Sequence, residues 1–84
     1  MTRRERLSQE LHRLVRGCSA ARMLDRLLEA GLIDLRRVEE SAILHDVAQR
    51  TARGEAKCRA MARTADEFCC SYEKVRGIIY RNKD

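Results

Sequence analysis

The chain has 84 residues, 44% hydrophobic and 37% charged, with no proline and a formal net charge of +5. Such a length makes one domain with a small core, and the apolar share excludes a compositionally disordered chain. No apolar run reaches a membrane span, and the basic start Met1-Thr2-Arg3-Arg4-Glu5-Arg6 lacks the apolar stretch of a signal peptide, so a cytoplasmic location with no membrane partner is expected.

Without proline and with few aromatics, the chain favours helices over strands. From Arg3 to about Arg16, Leu7, Leu11, Leu14, Val15 and Cys18 fall on one stripe of an amphipathic helix, and Gly17 ends it. Ser19 is placed to cap a second helix, Ala20 to Ala30, with Met23, Leu24, Leu27 and Leu28 inward. Gly31 followed by Leu32 reads as a left-handed helix end, and these first two helices predict a hairpin. Asp34 then opens a third helix to about Arg53, striped by Leu35, Val38, Ala42, Val47 and Ala48. Ile43 and Leu44 widen its apolar face beyond one neighbour's needs, so this helix is expected at the centre of the fold or shared with a second subunit. Gly54 breaks the pattern, a fourth helix runs from Glu55 to about Glu67, and a fifth follows Ser71. The expected fold class is all-α, a small bundle of about five helices in a single domain, 1–84. Within it, 1–53 forms a scaffold and candidate dimerisation part, and 55–84 carries a helix-turn-helix.

Cys18, Cys58, Cys69 and Cys70 lack zinc spacing and are expected to be reduced, small core residues. No metal and no cofactor is expected. Positive charge gathers at the ends: residues 1–31 and 53–84 each carry a net +3, and 32–52 carry −1. A net positive charge permits attraction to a polyanion, and arginine suits bidentate recognition of phosphate and guanine.

The stretch from Met61 to Tyr80 has the layout that a helix-turn-helix requires. Ala65 is the small residue where two helices cross closely, Phe68 enters the core, and Cys69 and Cys70 fill the turn. Ser71 caps the second helix, Glu73 lies near its positive end, and Val75, Ile78 and Ile79 face inward. The segment Glu67-Phe-Cys-Cys-Ser-Tyr-Glu-Lys-Val-Arg-Gly-Ile-Ile-Tyr80 resembles the helix-turn-helix of bacterial and phage transcriptional regulators. The C-terminal half is also similar to small regulators of mobile elements, of the tryptophan-repressor-like or Mor type. Two positions depart from the pattern: Thr64 stands where an aliphatic is common, and Cys69 where glycine is usual. A side chain in the left-handed turn costs on the order of 1 kcal/mol, which a longer or reshaped turn would relieve.

The resemblance implies a sequence-specific DNA-binding protein that regulates transcription, reading the major groove of double-stranded DNA with helix 71–81, usually as a homodimer. The outward face of that helix is expected to show Ser71, Tyr72, Glu73, Lys74, Arg76, Gly77 and Tyr80. Arg76 is the first candidate for a base contact, a bidentate bond to guanine, followed by Tyr72 and Lys74. Ser71 offers its backbone N–H to a phosphate, and Arg59, Arg63, Arg81 and Lys83 are further phosphate candidates, each of which also reads as an ordinary solvated charge, the preferred reading for Arg59 and Lys83. Arg3, Arg4 and Arg6 read as a minor-groove arm or as an ordinary helix start. Gly77, costly inside a helix, marks either a close approach to a duplex or a plain surface position.

The alternative is a helical interaction module that binds protein through its first three helices, without DNA. The charge layout separates the two readings. Arg63, Lys74, Arg76 and Arg81 on one open face favour DNA, whereas acidic residues interrupting them favour the adaptor. No enzyme is expected, since His12 and His45 have no nucleophile at a suggestive spacing and no glycine-rich phosphate loop is present.

Overall fold

Local sequence signals set where each helix begins and ends. The computed structural model describes residues 1–82 and contains α1 (Arg3–Val15), α2 (Ala20–Glu29), α3 (Leu35–Ala52), α4 (Lys57–Glu67) and α5 (Tyr72–Arg81). The fold is all-α, with no strand among the described residues. Thr2, Ser19 and Ser71 stand before α1, α2 and α5 in extended backbone, and their hydroxyls accept from the backbone N–H of Glu5, Arg22 and Lys74. Each bond satisfies one of the donors that a helix start leaves over.

Three helices end in the same way. Leu32 N–H bonds Leu27 C=O at 3.0 Å, Glu55 N–H bonds Arg50 C=O at 3.1 Å, and Cys70 N–H bonds Ala65 C=O at 3.0 Å. This closure places the preceding residue in the left-handed region. Gly31 (φ 69°) and Gly54 (φ 99°) do this without a side chain, and Cys69 does it with one, at φ 52°. The expected relief of the α4–α5 turn is therefore corrected: the turn keeps its short left-handed form and Cys69 carries the strain. The same closure explains why α4 starts at Lys57 and not at Glu55, whose N–H is engaged in ending α3.

The chain divides into two compact units, Met1–Leu35 and the part from Arg36 on. This division puts α3 with α4 and α5, whereas the sequence reading drew its line between 53 and 55. In the first unit α1 and α2 pack on each other, yet neither buries a residue. Leu7, Leu11 and Met23, expected inward, are exposed; Leu14, Val15, Leu24, Leu27 and Leu28 are half-buried. A pair of short helices has too little surface to enclose a stripe from each.

The second unit holds the core: Ile43 and Val47 of α3, Ala60, Met61 and Ala65 of α4, and Val75 and Ile78 of α5. Leu44, Phe68, Cys70, Tyr72 and Ile79 pack around it. The extra width of α3 from Ile43 and Leu44 is thus absorbed inside this unit, while Leu35, Val38 and Ala48 of the expected stripe stay exposed. The cysteines are not all core residues. Cys58 and Cys69 are exposed, and Cys18 and Cys70 are half-buried. No helix among the described residues is long and apolar enough to cross a membrane.

Candidate nucleic-acid interface

The α4–α5 pair decides which side chains α5 presents. Ala65, Val75 and Ile78 are buried between the helices of this unit, as their spacing predicts, with Ile79 half-buried. Glu73, Lys74, Arg76, Gly77, Tyr80 and Arg81 are exposed. Tyr72, expected outward, is half-buried against the core instead. Its hydroxyl shares a hydrogen bond with the Cys58 thiol, and that bond, with burial adding to it, raises the hydroxyl's pKa above the ordinary value. The Ser71 hydroxyl is occupied as the cap of α5, at 3.1 Å from Lys74 N–H.

Three of the four expected cations are engaged by carboxylates. Lys74 Nζ pairs with Glu39 at 2.5 Å, Arg81 with Glu40 at 2.9 Å, and Arg63 with Glu55 at 3.5 Å. The bond to Glu39 raises the pKa of Lys74, since it stabilises the charged amine. Acidic residues of α3 therefore interrupt the positive surface on one flank of α5, the arrangement that favours the adaptor reading. All three cations remain about half exposed or more, and exposed pairs of this kind are worth little and exchange readily.

Arg76 is placed differently. Its guanidinium lies over the Tyr80 ring, 5.3 Å from the centroid, and Lys57 Nζ lies over the same ring at 5.7 Å. A ring under a guanidinium steadies it through the ring's negative face and leaves its planar donors available to a further partner. Lys57, the first residue of α4, was not among the candidates read from the sequence. Its partner is 23 positions away on another helix, so no local periodicity signals the contact.

The start of α4 extends this cationic area. Ala56 stands at the cap position and supplies no side-chain acceptor, so the first N–H groups of α4 lack a side-chain cap. Around them Arg53, Arg59 and Arg63 line a shallow cavity of about 380 Å³, with Glu55 the one acidic group in its lining. Glu55 pairs with Arg63 inside that lining at 3.5 Å, so its carboxylate offsets part of the positive charge around the helix start.

The remaining sequence candidates lie elsewhere. Gly77 is exposed, and a Cβ built there would meet nothing within 4 Å. Arg3, Arg4 and Arg6 are exposed on α1, in the first unit. Lys83 lies outside the described residues. His12 and His45 are exposed, as expected of surface positions. Among the described residues no three His, Cys, Asp or Glu side chains gather to hold a metal ion.

Compared with known protein families, curated proteins and solved structures, the chain matches none.

Proposed function

We propose that the protein binds double-stranded DNA through its second unit, with α5 as the reading helix of a helix-turn-helix, and acts as a small bacterial or phage transcriptional regulator. The observation that carries this reading is Arg76, held over Tyr80 beside Lys57, next to the arginine-bordered start of α4. In the docking mode of a helix-turn-helix, the second helix enters the major groove while the first crosses the backbone. Arg76 then faces base edges, where a bidentate bond to guanine is its natural contact. Lys57, Arg53, Arg59 and the α4 start take phosphates, which fix position without reading sequence. Lys74 and Arg81 can add phosphate contacts only by leaving Glu39 and Glu40. Ser71 and Tyr72 have smaller parts, one as a cap and one as a wall of the core. The regulator acts as a homodimer on paired half-sites, as two-fold readers of this size do.

A second reading, a helical interaction module without DNA binding, is favoured by one specific observation: Glu39, Glu40 and Glu55 engage three of the four expected cations. Amide chemical-shift mapping separates the two. Adding a mixed-sequence duplex should move signals from residues 56–59 and 72–81 and leave those of α1 in place. A spectrum unmoved by duplex at low salt would discard the DNA reading and leave the interaction module.

A further inference from the structure

We propose that Tyr80 is the positioning residue of the reading face, its ring holding Arg76 toward a base edge and Lys57 toward a phosphate at once. The inference rests on the DNA reading above and adds to it a link between the two kinds of contact. Arg76 and Tyr80 are four positions apart on α5, so their side chains meet on one helix surface, with the guanidinium 5.3 Å from the ring centroid. Lys57 opens α4, and its Nζ lies 5.7 Å from the same centroid. In the proposed docking mode, one ring thus joins the helix that enters the groove to the helix that crosses the backbone.

Three observations set this ring apart from an ordinary surface tyrosine. Tyr80 is 50% exposed and belongs neither to the core of the second unit nor to the side chains packed around it, so it does not serve to fill the core. Arg50, Arg63, Lys74 and Arg81 each pair with a carboxylate, whereas neither Arg76 nor Lys57 does so among the described residues. The negative face of the ring is what holds these two cations. Gly77 lies three positions before Tyr80 on the same surface, and a Cβ there would meet nothing within 4 Å, so this flank of the pair is open.

The physical effect is preorganisation. Arginine and lysine are long side chains that lose much rotamer freedom when a contact fixes them. A ring that already restrains both lowers that cost at the moment of binding. The hold is weak enough to yield: at an exposed ring each cation contact is worth roughly two- to fivefold in an equilibrium. Arg76 and Lys57 can therefore turn to a stronger, anionic or base partner, as a cation in a buried ion pair cannot. Two like charges on one ring also repel each other, and a phosphate beside them relieves that repulsion.

Duplex affinity at low salt tests this on the sequence that the wild type prefers, with Tyr80→Leu and Tyr80→Phe made in the wild type and in Lys57→Ala/Arg76→Ala. Tyr80→Leu should weaken wild-type binding roughly 4–25-fold, the two contacts together, and Tyr80→Phe, which keeps the ring, less than about twofold. In Lys57→Ala/Arg76→Ala the Tyr80→Leu change should alter affinity less than about twofold, because a residue that acts through two others then has nothing to position. Urea midpoints report whether each variant stays folded. In the free protein, side-chain proton signals of Arg76 and Lys57 should be shifted upfield by the ring and should lose that shift in Tyr80→Leu. Unchanged binding in Tyr80→Leu, an equal loss in both backgrounds, or a loss in Tyr80→Phe as large as in Tyr80→Leu overturns the positioning role and leaves the DNA reading standing. A wild type that binds no duplex overturns both.

Discussion

The Thr64 hydroxyl donates to the Asp46 carboxylate at 2.7 Å and ties α4 to α3 through a side chain with no exposure to water. The other donor to that carboxylate is Arg50, at 3.0 Å, which also reaches toward Glu55 and Glu67. Thr64 stands where an aliphatic residue would otherwise fill the core, and its polar atom is satisfied by this one partner. Replacing it by valine keeps the shape and removes the donor, so Thr64→Val should lower stability by about 1–2 kcal/mol in urea unfolding.

The same carboxylate gives a pH dependence. The Thr64 hydroxyl, and then Arg50, hold the Asp46 pKa below its ordinary 3.8. A folded-state pKa below the unfolded one stabilises the protein above the unfolded value, and that contribution disappears as pH falls through the folded value. Urea midpoints should therefore drop on acidification below about pH 4 more steeply in wild type than in Asp46→Asn. Equal slopes for the two proteins would remove Asp46 from the account.

Cys69 bears a left-handed backbone in an exposed turn. Glycine adopts this conformation without the clash of a Cβ, so Cys69→Gly should stabilise the protein by about 0.5–1 kcal/mol, read as a higher urea midpoint with an unchanged slope. Cys69→Val, β-branched, should destabilise it. A loss of stability in Cys69→Gly would show that the thiol has a role in the turn that the geometry does not reveal.

Gly77 has open space where a Cβ would stand. Alanine there should add about 1 kcal/mol of stability by its helix propensity alone. If α5 approaches a duplex closely at this position, Gly77→Ala will be more stable yet bind DNA more weakly. A gain in stability with unchanged binding assigns Gly77 to the surface and away from the interface.

The pairs Lys74–Glu39 and Arg81–Glu40 hold two cations that the proposed docking mode would otherwise offer to phosphates. Glu39→Gln/Glu40→Gln should tighten DNA binding and steepen the salt dependence by up to about 0.9 per phosphate gained. An unchanged slope would place both cations away from the phosphate backbone.

Much of the fold was legible because the signals are local. Gly17, Gly31 and Gly54 and the caps Ser19 and Ser71 mark ends that hydrogen bonds within a few residues enforce. The inward set Ala65, Val75 and Ile78 followed from periodicity and the crossing of two helices. The charge layout was not legible, since Glu39 and Lys74 are 35 positions apart and Glu40 and Arg81 41. Lys57 over Tyr80 escaped for the same reason. Tyr72 was misplaced because the first turn of α5 lies where the core ends, and a long amphipathic side chain can turn either way there. The exposed stripes of α1 and α2 show the converse limit: periodicity reports which face wants cover, and only the folded chain shows whether it supplies that cover.

The central claim rests on Arg76, and the most direct measurement is fluorescence anisotropy of a labelled mixed-sequence duplex, with wild type and Arg76→Ala titrated across a range of salt. The account predicts that wild type binds, that log K falls linearly with log salt, and that Arg76→Ala loses about 1–3 kcal/mol of affinity on duplexes carrying the preferred site. No binding by wild type at low salt, or identical affinities for the two proteins on every duplex, would contradict it.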